Sequence, residues 1–257
     1  MGKMVRLRCG RSTTVLDREG RPEAGRRIDA GDICLVGERA ENGLYPVIYP
    51  TRSGTRSAWL RDKESLAPGW RIYNQNRYGG VAYPAPGYAG ATVRSSGCGV
   101  TAMAMVVENL VLGMLDPAAC ARIALDCGAR VSGGTDLRRL GQTLCGRYPM
   151  KMTCTSSWAA LTDALDREGI AVVNTGGDRA GYTGVFSTGG HYIVLLARQG
   201  QQVYIADPGD YAGKYEKSGR RAVQRAGELL CCDGEVAARD SANRNPPYYL
   251  FERRNDL

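Results

Sequence analysis

Apolar and polar positions fall into two textures along the chain. Up to about residue 68 the apolar positions come in short runs. Residues 5–7, 33–36, 44–50 and 57–60 read as strands, with glycine-, aspartate- and arginine-rich turns at 29–32 and 51–54. Roughly five short strands in about 65 residues predict a small β-barrel. From Cys98 the spacing becomes helical: Val100, Met103, Ala104, Val107, Leu110 and Val111 share one face, and the pattern stops near Gly113. Asp116 and Pro117 supply an N-cap and a first-turn proline for a second helix running to about Cys127, with Gly128 after it. Thr135-Asp136 caps a third, through about Leu144. Ser157 caps a fourth, ending near Glu168 with Gly169 at C′. Strands are expected at 150–153, 170–173, 189–196, 202–207 and 248–251. The prediction is an α+β chain: a small barrel over residues 1–68, a linker at Ala67-Pro68-Gly69, and a larger domain over 70–257 in which helices precede strands.

The pair of strands at 189–196 and 202–207 carries the first chemical signal. It holds His191, the single histidine of the chain, and ends at Asp207. Folded as an antiparallel hairpin about the break at 198–201, it brings His191 opposite, or next to opposite, Asp207 on one face. A carboxylate beside an imidazole fixes its tautomer and stabilises the imidazolium. The matching nucleophile is Cys98, set between Gly97 and Gly99 at the start of the first helix. There the helix dipole and free N–H groups favour a thiolate, and such sites bring a cysteine pKa from about 8.5 into the range ~3.5–7.5. Cys98, His191 and Asp207 thus form a candidate nucleophile, base and orienter. The plainer alternative is a small core cysteine and a hydrogen-bonded strand histidine.

Three segments carry a family resemblance: Gly97-Cys98-Gly99-Val100-Thr101, then Gly190-His191-Tyr192, then Ala206-Asp207-Pro208-Gly209. In this order they resemble the papain-fold cysteine peptidases related to bacteriocin-leader-processing peptidases, over about residues 72–251. Val100 stands where that family usually has proline. The resemblance implies a papain-like fold, with a helical half facing an antiparallel sheet. It also implies an upstream glutamine, here Gln75, whose amide joins the Cys98 N–H in an oxyanion hole. Residues 43–50, with Gly54 and 58–60, resemble bacterial SH3-like modules, many of which bind cell-wall peptides or glycans while others only pack on a catalytic partner. Tyr45, Tyr49 and Trp59 are read there as an aromatic groove or as core.

Composition narrows the partners. At 257 residues and 43% hydrophobic the chain can bury a full core. No long uncharged apolar run predicts a membrane span, and the first residues lack the apolar stretch of a secretion signal. The net charge of +8 is spread along the chain with no basic helix, so no nucleic-acid element is expected. The charge suits an anionic surface such as a bacterial cell wall. The nine cysteines lack paired spacing, and with one histidine a zinc site would have to be all-cysteine. No metal or cofactor is therefore expected, and the cysteines read as buried thiols made in a reducing compartment. The glycine-rich loop 175–188 is expected to flank the cleft or act as a lid. The expected function is a cysteine peptidase or amidase acting on peptidoglycan, like a phage or prophage lysin. It would be made in the cytoplasm and reach the wall after lysis, in a phage particle or by another non-Sec route. The alternatives are a proteinase cutting a protein or double-glycine leader peptide, and an inactive structural or binding component of a virion or secretion machine.

Overall fold

The computed structural model describes residues 4–254. It divides into two compact units: the chain up to Ile72 with Val107–Met114, and Tyr73–Val106 with the chain from Leu115 onward. The first unit holds β1 (Val5–Cys9), β2 (Thr13–Leu16), β3 (Pro22–Ile28), β4 (Ile33–Val36), β5 (Tyr45–Thr51), β6 (Gly54–Leu60) and β7 (Leu66–Ala67). They form one antiparallel sheet in the order β3-β2-β6-β5-β4-β1-β7. Alternation along the pleat builds its core. Leu7 and Cys9 of β1, Val47 and Tyr49 of β5, and Ala58 and Leu60 of β6 close over Val15, Ile28 and Cys34.

The apolar pattern did not announce β2 and β3. In β3 only Ile28 is buried; the strand is held by its ladder to β2 and carries charged side chains outward, as edge strands commonly do. The three aromatics do not share a groove. Tyr49 is in the core with Tyr45 packed partly against it, while Trp59 lies on the opposite face of the sheet, with Pro46 and Ile48.

Residues 107–114 were expected in the larger domain but count with the first unit. The reason is the Asn109 side chain, which satisfies both backbone groups of Arg71: its Oδ1 accepts from the Arg71 N–H and its Nδ2 donates to the Arg71 carbonyl, each at 2.8 Å. Leu112 also packs with Ile33 and Leu35.

The second unit holds, in order, α1 (Val93–Ser96), α2 (Cys98–Val111, its last residues counting with the first unit), α3 (Pro117–Asp126), β8 (Arg130–Val131), β9 (Gly134–Thr135), α4 (Leu137–Arg147), β10 (Met150–Thr155), α5 (Trp158–Asp166), β11 (Ile170–Thr175), β12 (His191–Gln199), β13 (Gln202–Ala206), β14 (Gln224–Ala226), β15 (Leu229–Asp233), α6 (Gly234–Asp240) and β16 (Tyr248–Arg253). Seven strands make an antiparallel sheet, β10-β16-β11-β12-β13-β15-β14, with the chain's last strand inserted between β10 and β11. One face packs Val173, Ile193 and Ile205 against Leu161 and Leu165 of α5, Ala237 of α6, and Phe186. On the other, Gly141 of α4 lies against Met152 and Phe251.

Caps follow the sequence closely: Asp116, Asp136 and Ser157 each accept the expected N–H at an N-terminus. At the C-termini Gly128 is left-handed after α3 (φ 70°), as expected, but two other ends differ. After α2 the left-handed residue is Leu112 (φ 55°), and after α5 it is Glu168 (φ 63°), not the glycines that follow them. Gly169 serves close approach instead, because a Cβ there would stand 2.7 Å from the Ala164 carbonyl oxygen.

Crowding constrains Gly99 in the same way. A Cβ there would stand 2.6 Å from the Thr135 Cβ, and Thr135 is held by a 2.8 Å hydrogen bond to the Tyr83 hydroxyl. Gly99→Ala is expected to destabilise by about 1–3 kcal/mol through overpacking. Gly146→Ala in α4, where a Cβ meets nothing within 4 Å, is expected to stabilise by about 0.5–1 kcal/mol. Thermal unfolding of the two variants should therefore move in opposite directions.

Candidate active site

Cys98 is the first residue of α2, and α1 delivers the chain to it. Thr92 and Ser95 form a reciprocal capping box. The Gly97 N–H then closes the turn on the Val93 carbonyl at 2.7 Å, while the Gly97 carbonyl accepts from the Thr101 N–H at 2.9 Å and starts α2. Neither flanking glycine has a left-handed φ. Both are required by crowding, since a Cβ at Gly97 would stand 2.5 Å from the Val93 carbonyl oxygen.

His191 opens β12, paired with Thr175 of β11, whose hydroxyl donates to the His191 carbonyl at 3.0 Å. Asp207 follows β13. The two share a face without being directly opposed, the second of the two expected arrangements. Near its turn the hairpin pairs Arg198 with Val203 and Ala197 with Tyr204. Continued unbroken, that register would set Asp207 level with Val194, on the wrong face for His191. A bulge between Leu195 and Ala197 absorbs one residue, so that Ala206 pairs with Val194. Asp207 then falls level with Ile193, two residues from His191 and on its face. One inserted residue inverts the side of every later side chain, and here it makes the pair possible.

His191 Nε2 lies 2.6 Å from Asp207 Oδ1, which leaves Nδ1 as the ring nitrogen free to serve Cys98, and thiol and ring each shift the other's pKa. Oδ1 of Asp207 also accepts from the Gly209 N–H at 2.8 Å. Its Oδ2 accepts from Lys214 Nζ and from the Tyr215 hydroxyl, both at 2.5 Å. The Asp207 side chain is fully buried and that of Lys214 nearly so. Lys214 and Tyr215 were absent from the sequence reading. They lie on an irregular loop and a single 3-10 turn, where no periodicity marks which way a side chain faces.

The electrostatics follow from these contacts. Burial pushes the Cys98 thiol up, but the His191 ring and backbone hydrogen bonds from Tyr192 and Gly99 pull it below the ordinary value. Burial opposes charge on His191 too, yet Asp207 and the Cys98 sulfur carry the imidazole up to about 9. Burial also works against the Asp207 charge, and His191 and Lys214 overcome it, holding the carboxyl well below its usual range. The two shifts run in the directions that favour a thiolate beside an imidazolium. By contrast burial raises the thiols of Cys9, Cys34, Cys120, Cys145, Cys154 and Cys232.

Gln75 begins a one-turn helix, Gln75–Tyr78, tied to the loop after Asp207. Its N–H donates to the Pro208 carbonyl at 2.8 Å. Asn74 and Asn76 both donate side-chain N–H groups to the Asp210 carbonyl. The Gln75 Nε2 donates one hydrogen to the Arg94 carbonyl at 2.8 Å, leaving the other, while Oε1 is buried without a partner. Gln75, Cys98 and His191 line one cleft of about 920 Å³.

The loop 175–188 walls this cleft through Thr183, Phe186, Ser187 and Thr188. It is anchored, not hinged as a lid requires. Buried Asp240 accepts from the Val185 and Phe186 N–H groups at 2.8 and 3.2 Å, and Asp178 accepts from the Gly184 N–H at 2.7 Å. Among the described residues no group of His, Cys, Asp or Glu is placed to hold a metal ion, all nine cysteines are free, and no helix is long and apolar enough to cross a membrane.

No protein-family model matches the chain, and no curated protein does. Among solved structures it is similar to a Bacillus anthracis protein described provisionally as a C39-like peptidase, at 15% identity and a TM-score of 0.43, over 62% of this chain and 90% of that one. At that identity and TM-score the likeness assigns no activity.

The buried charges make stability depend on acid. Asp207 has a depressed pKa, so its contribution is present above the unfolded carboxylate value of about 3.9 and is lost as pH falls through the folded value. Lys214→Met weakens that depression and leaves a buried carboxylate with one cation fewer. The variant is expected to lose about 3 kcal/mol at neutral pH, and its acid unfolding midpoint should move to higher pH, read by circular dichroism.

Proposed function

We propose that the protein is a cysteine peptidase or amidase of papain-like type. The observation that carries this is the Cys98–His191–Asp207 chain of contacts in an open cleft, with the thiol shifted down and the imidazole shifted up. Cys98 Sγ attacks the amide carbonyl. The oxyanion meets the Cys98 N–H at the tip of α2 and the free Gln75 Nε2 hydrogen. His191 gives its Nδ1 proton to the leaving amine, then takes one from the water that hydrolyses the thioester. Asp207 holds the ring through Nε2 throughout.

We infer further that the amide belongs to bacterial peptidoglycan. What supports this is the companion unit, a small antiparallel sheet resembling the SH3-like modules of bacteria, with an outer groove built from Trp59, Pro46, Ile48 and Met4. An enzyme of this design is lysin-like and meets the wall after lysis, in a phage particle or by another non-Sec route.

Turbidity loss and peptide release from purified walls test both steps. Cys98→Ala is expected to abolish release, an effect of roughly 10⁴-fold or more for a triad nucleophile; an equally active variant would refute the mechanism. Cleavage of a double-glycine peptide with inert walls would move the substrate to a leader or protein.

The pH profile should be bell-shaped. Activity rises as Cys98 loses its proton below the ordinary thiol range and falls as His191 loses its own near 9. Asp207→Asn removes the charge that raises His191, so kcat/KM should fall and its alkaline limb should move to lower pH.

A further inference from the structure

The cleft is unbalanced in charge. Lys214, Lys217 and Arg220 line it, and among the described residues no aspartate or glutamate does. The Lys214 charge is met by Asp207, and exposed Lys217 leans on the neutral Tyr211 hydroxyl at 2.9 Å. Arg220 is different. It is 9% exposed, yet no described residue accepts a hydrogen bond from its guanidinium or pairs with it. Its backbone is fixed on both sides. The Arg220 N–H donates to the Lys217 carbonyl, and its carbonyl accepts from the N–H of Val223, a core residue. Just before it, Gly219 packs against Thr183 at a left-handed φ of 82°.

No carboxylate among the described residues pairs with this cation, and none of its nitrogens is sealed from the cleft that Arg220 lines. Its donors are thus left to water or to a ligand in the cleft, and arginine's planar fork of donors suits a two-oxygen anion. Arg220 lines the cleft, so an anion bound there would meet it. We propose that Arg220 is the carboxylate-recognition subsite of this cleft, so that the preferred substrate is a peptide carrying a free carboxylate at a fixed distance from the bond cut. Lys217 and Tyr211 at the mouth add attraction without fixing position. This deepens the peptidase reading and rests on it for the word substrate, but carboxylate binding itself is testable without turnover.

The probes are thiol alkylators of graded length: bromoacetyl-glycine, -diglycine and -triglycine, each as free acid and as amide. Every added residue extends reach by about 3.3–3.6 Å. The acid-to-amide rate ratio at Cys98, followed by mass spectrometry and divided by that for glutathione, should peak at one length. Arg220→Gln should lower the peak about tenfold, as expected for one charged contact, and Arg220→Lys by a smaller factor. A flat ratio across all lengths in the wild type, which needs no variant to fold, overturns the proposal. So does a peak that survives Arg220→Gln in a protein of native circular dichroism. Bromoacetyl-glutamyl amide against its glutaminyl counterpart then tells an acidic side chain from a chain terminus, a matching preference in either pair supporting the subsite. If the amide probes label Cys98 at pH 6 no faster than they label Cys231, the catalytic reading fails, and the ratio still decides Arg220.

Discussion

A buried carboxylate has to be surrounded by donors, and Asp207 sets the shape of everything near it. An ion of this size taken out of water costs several kcal/mol unless its lone pairs are filled. Here Oδ1 takes the His191 ring and the Gly209 N–H, and Oδ2 takes Lys214 and Tyr215. Those donors come from the strand carrying the histidine and from the loop that follows Asp207. Satisfying the charge therefore folds the loop and aims the imidazole in one step. The loop in turn holds Gln75, through the Pro208 and Asp210 carbonyls. His191, Asp207 and Gln75 are thus parts of one hydrogen-bonded assembly, and a change that loosens Asp207 loosens all of them.

How much of this was legible in the chain depended on whether local rules decided the outcome. Asp116, Asp136 and Ser157 were readable as caps because capping involves only neighbours in sequence. Cys98 at a helix start was readable for the same reason. The His191–Asp207 pair was readable in identity but not in register. Its parity turns on the bulge between Leu195 and Ala197, and no residue in that stretch of small and apolar side chains marks where the extra one is absorbed. Gln75 came from family resemblance alone, because its position is set by partners more than a hundred residues away.

The unread elements fail for a common reason. Strand β3 buries one residue, and α6 follows β15 in a stretch with little apolar periodicity, so long-range pairing stabilises what sequence pattern does not. Lys214 and Arg220 are buried although lysine and arginine are rarely found inside. A reading that assigns charged residues to solvent will miss them by construction. The glycines show the converse. Gly97, Gly99 and Gly169 were legible as punctuation, but their true constraint is crowding by Val93, Thr135 and Ala164, contacts that exist only in the fold.

The same network bears on whether the site is a relic. Replacing a buried ionic cluster by apolar side chains of similar volume is often neutral or stabilising, by about 1–4 kcal/mol. Asp207, Lys214 and His191 would therefore be poor choices if the loop needed only to be rigid. An apolar core such as the one formed by Phe186, Ile193 and Ile205 a few residues away would serve rigidity better. What an apolar replacement could not supply is an imidazole held charged beside a thiol whose pKa it lowers. Of the cysteines with shifted pKa values only Cys98 is moved down, and it alone is coupled to that imidazole. The chain thus carries a structural cost at the one place where, on the proposed mechanism, the cost has a chemical product.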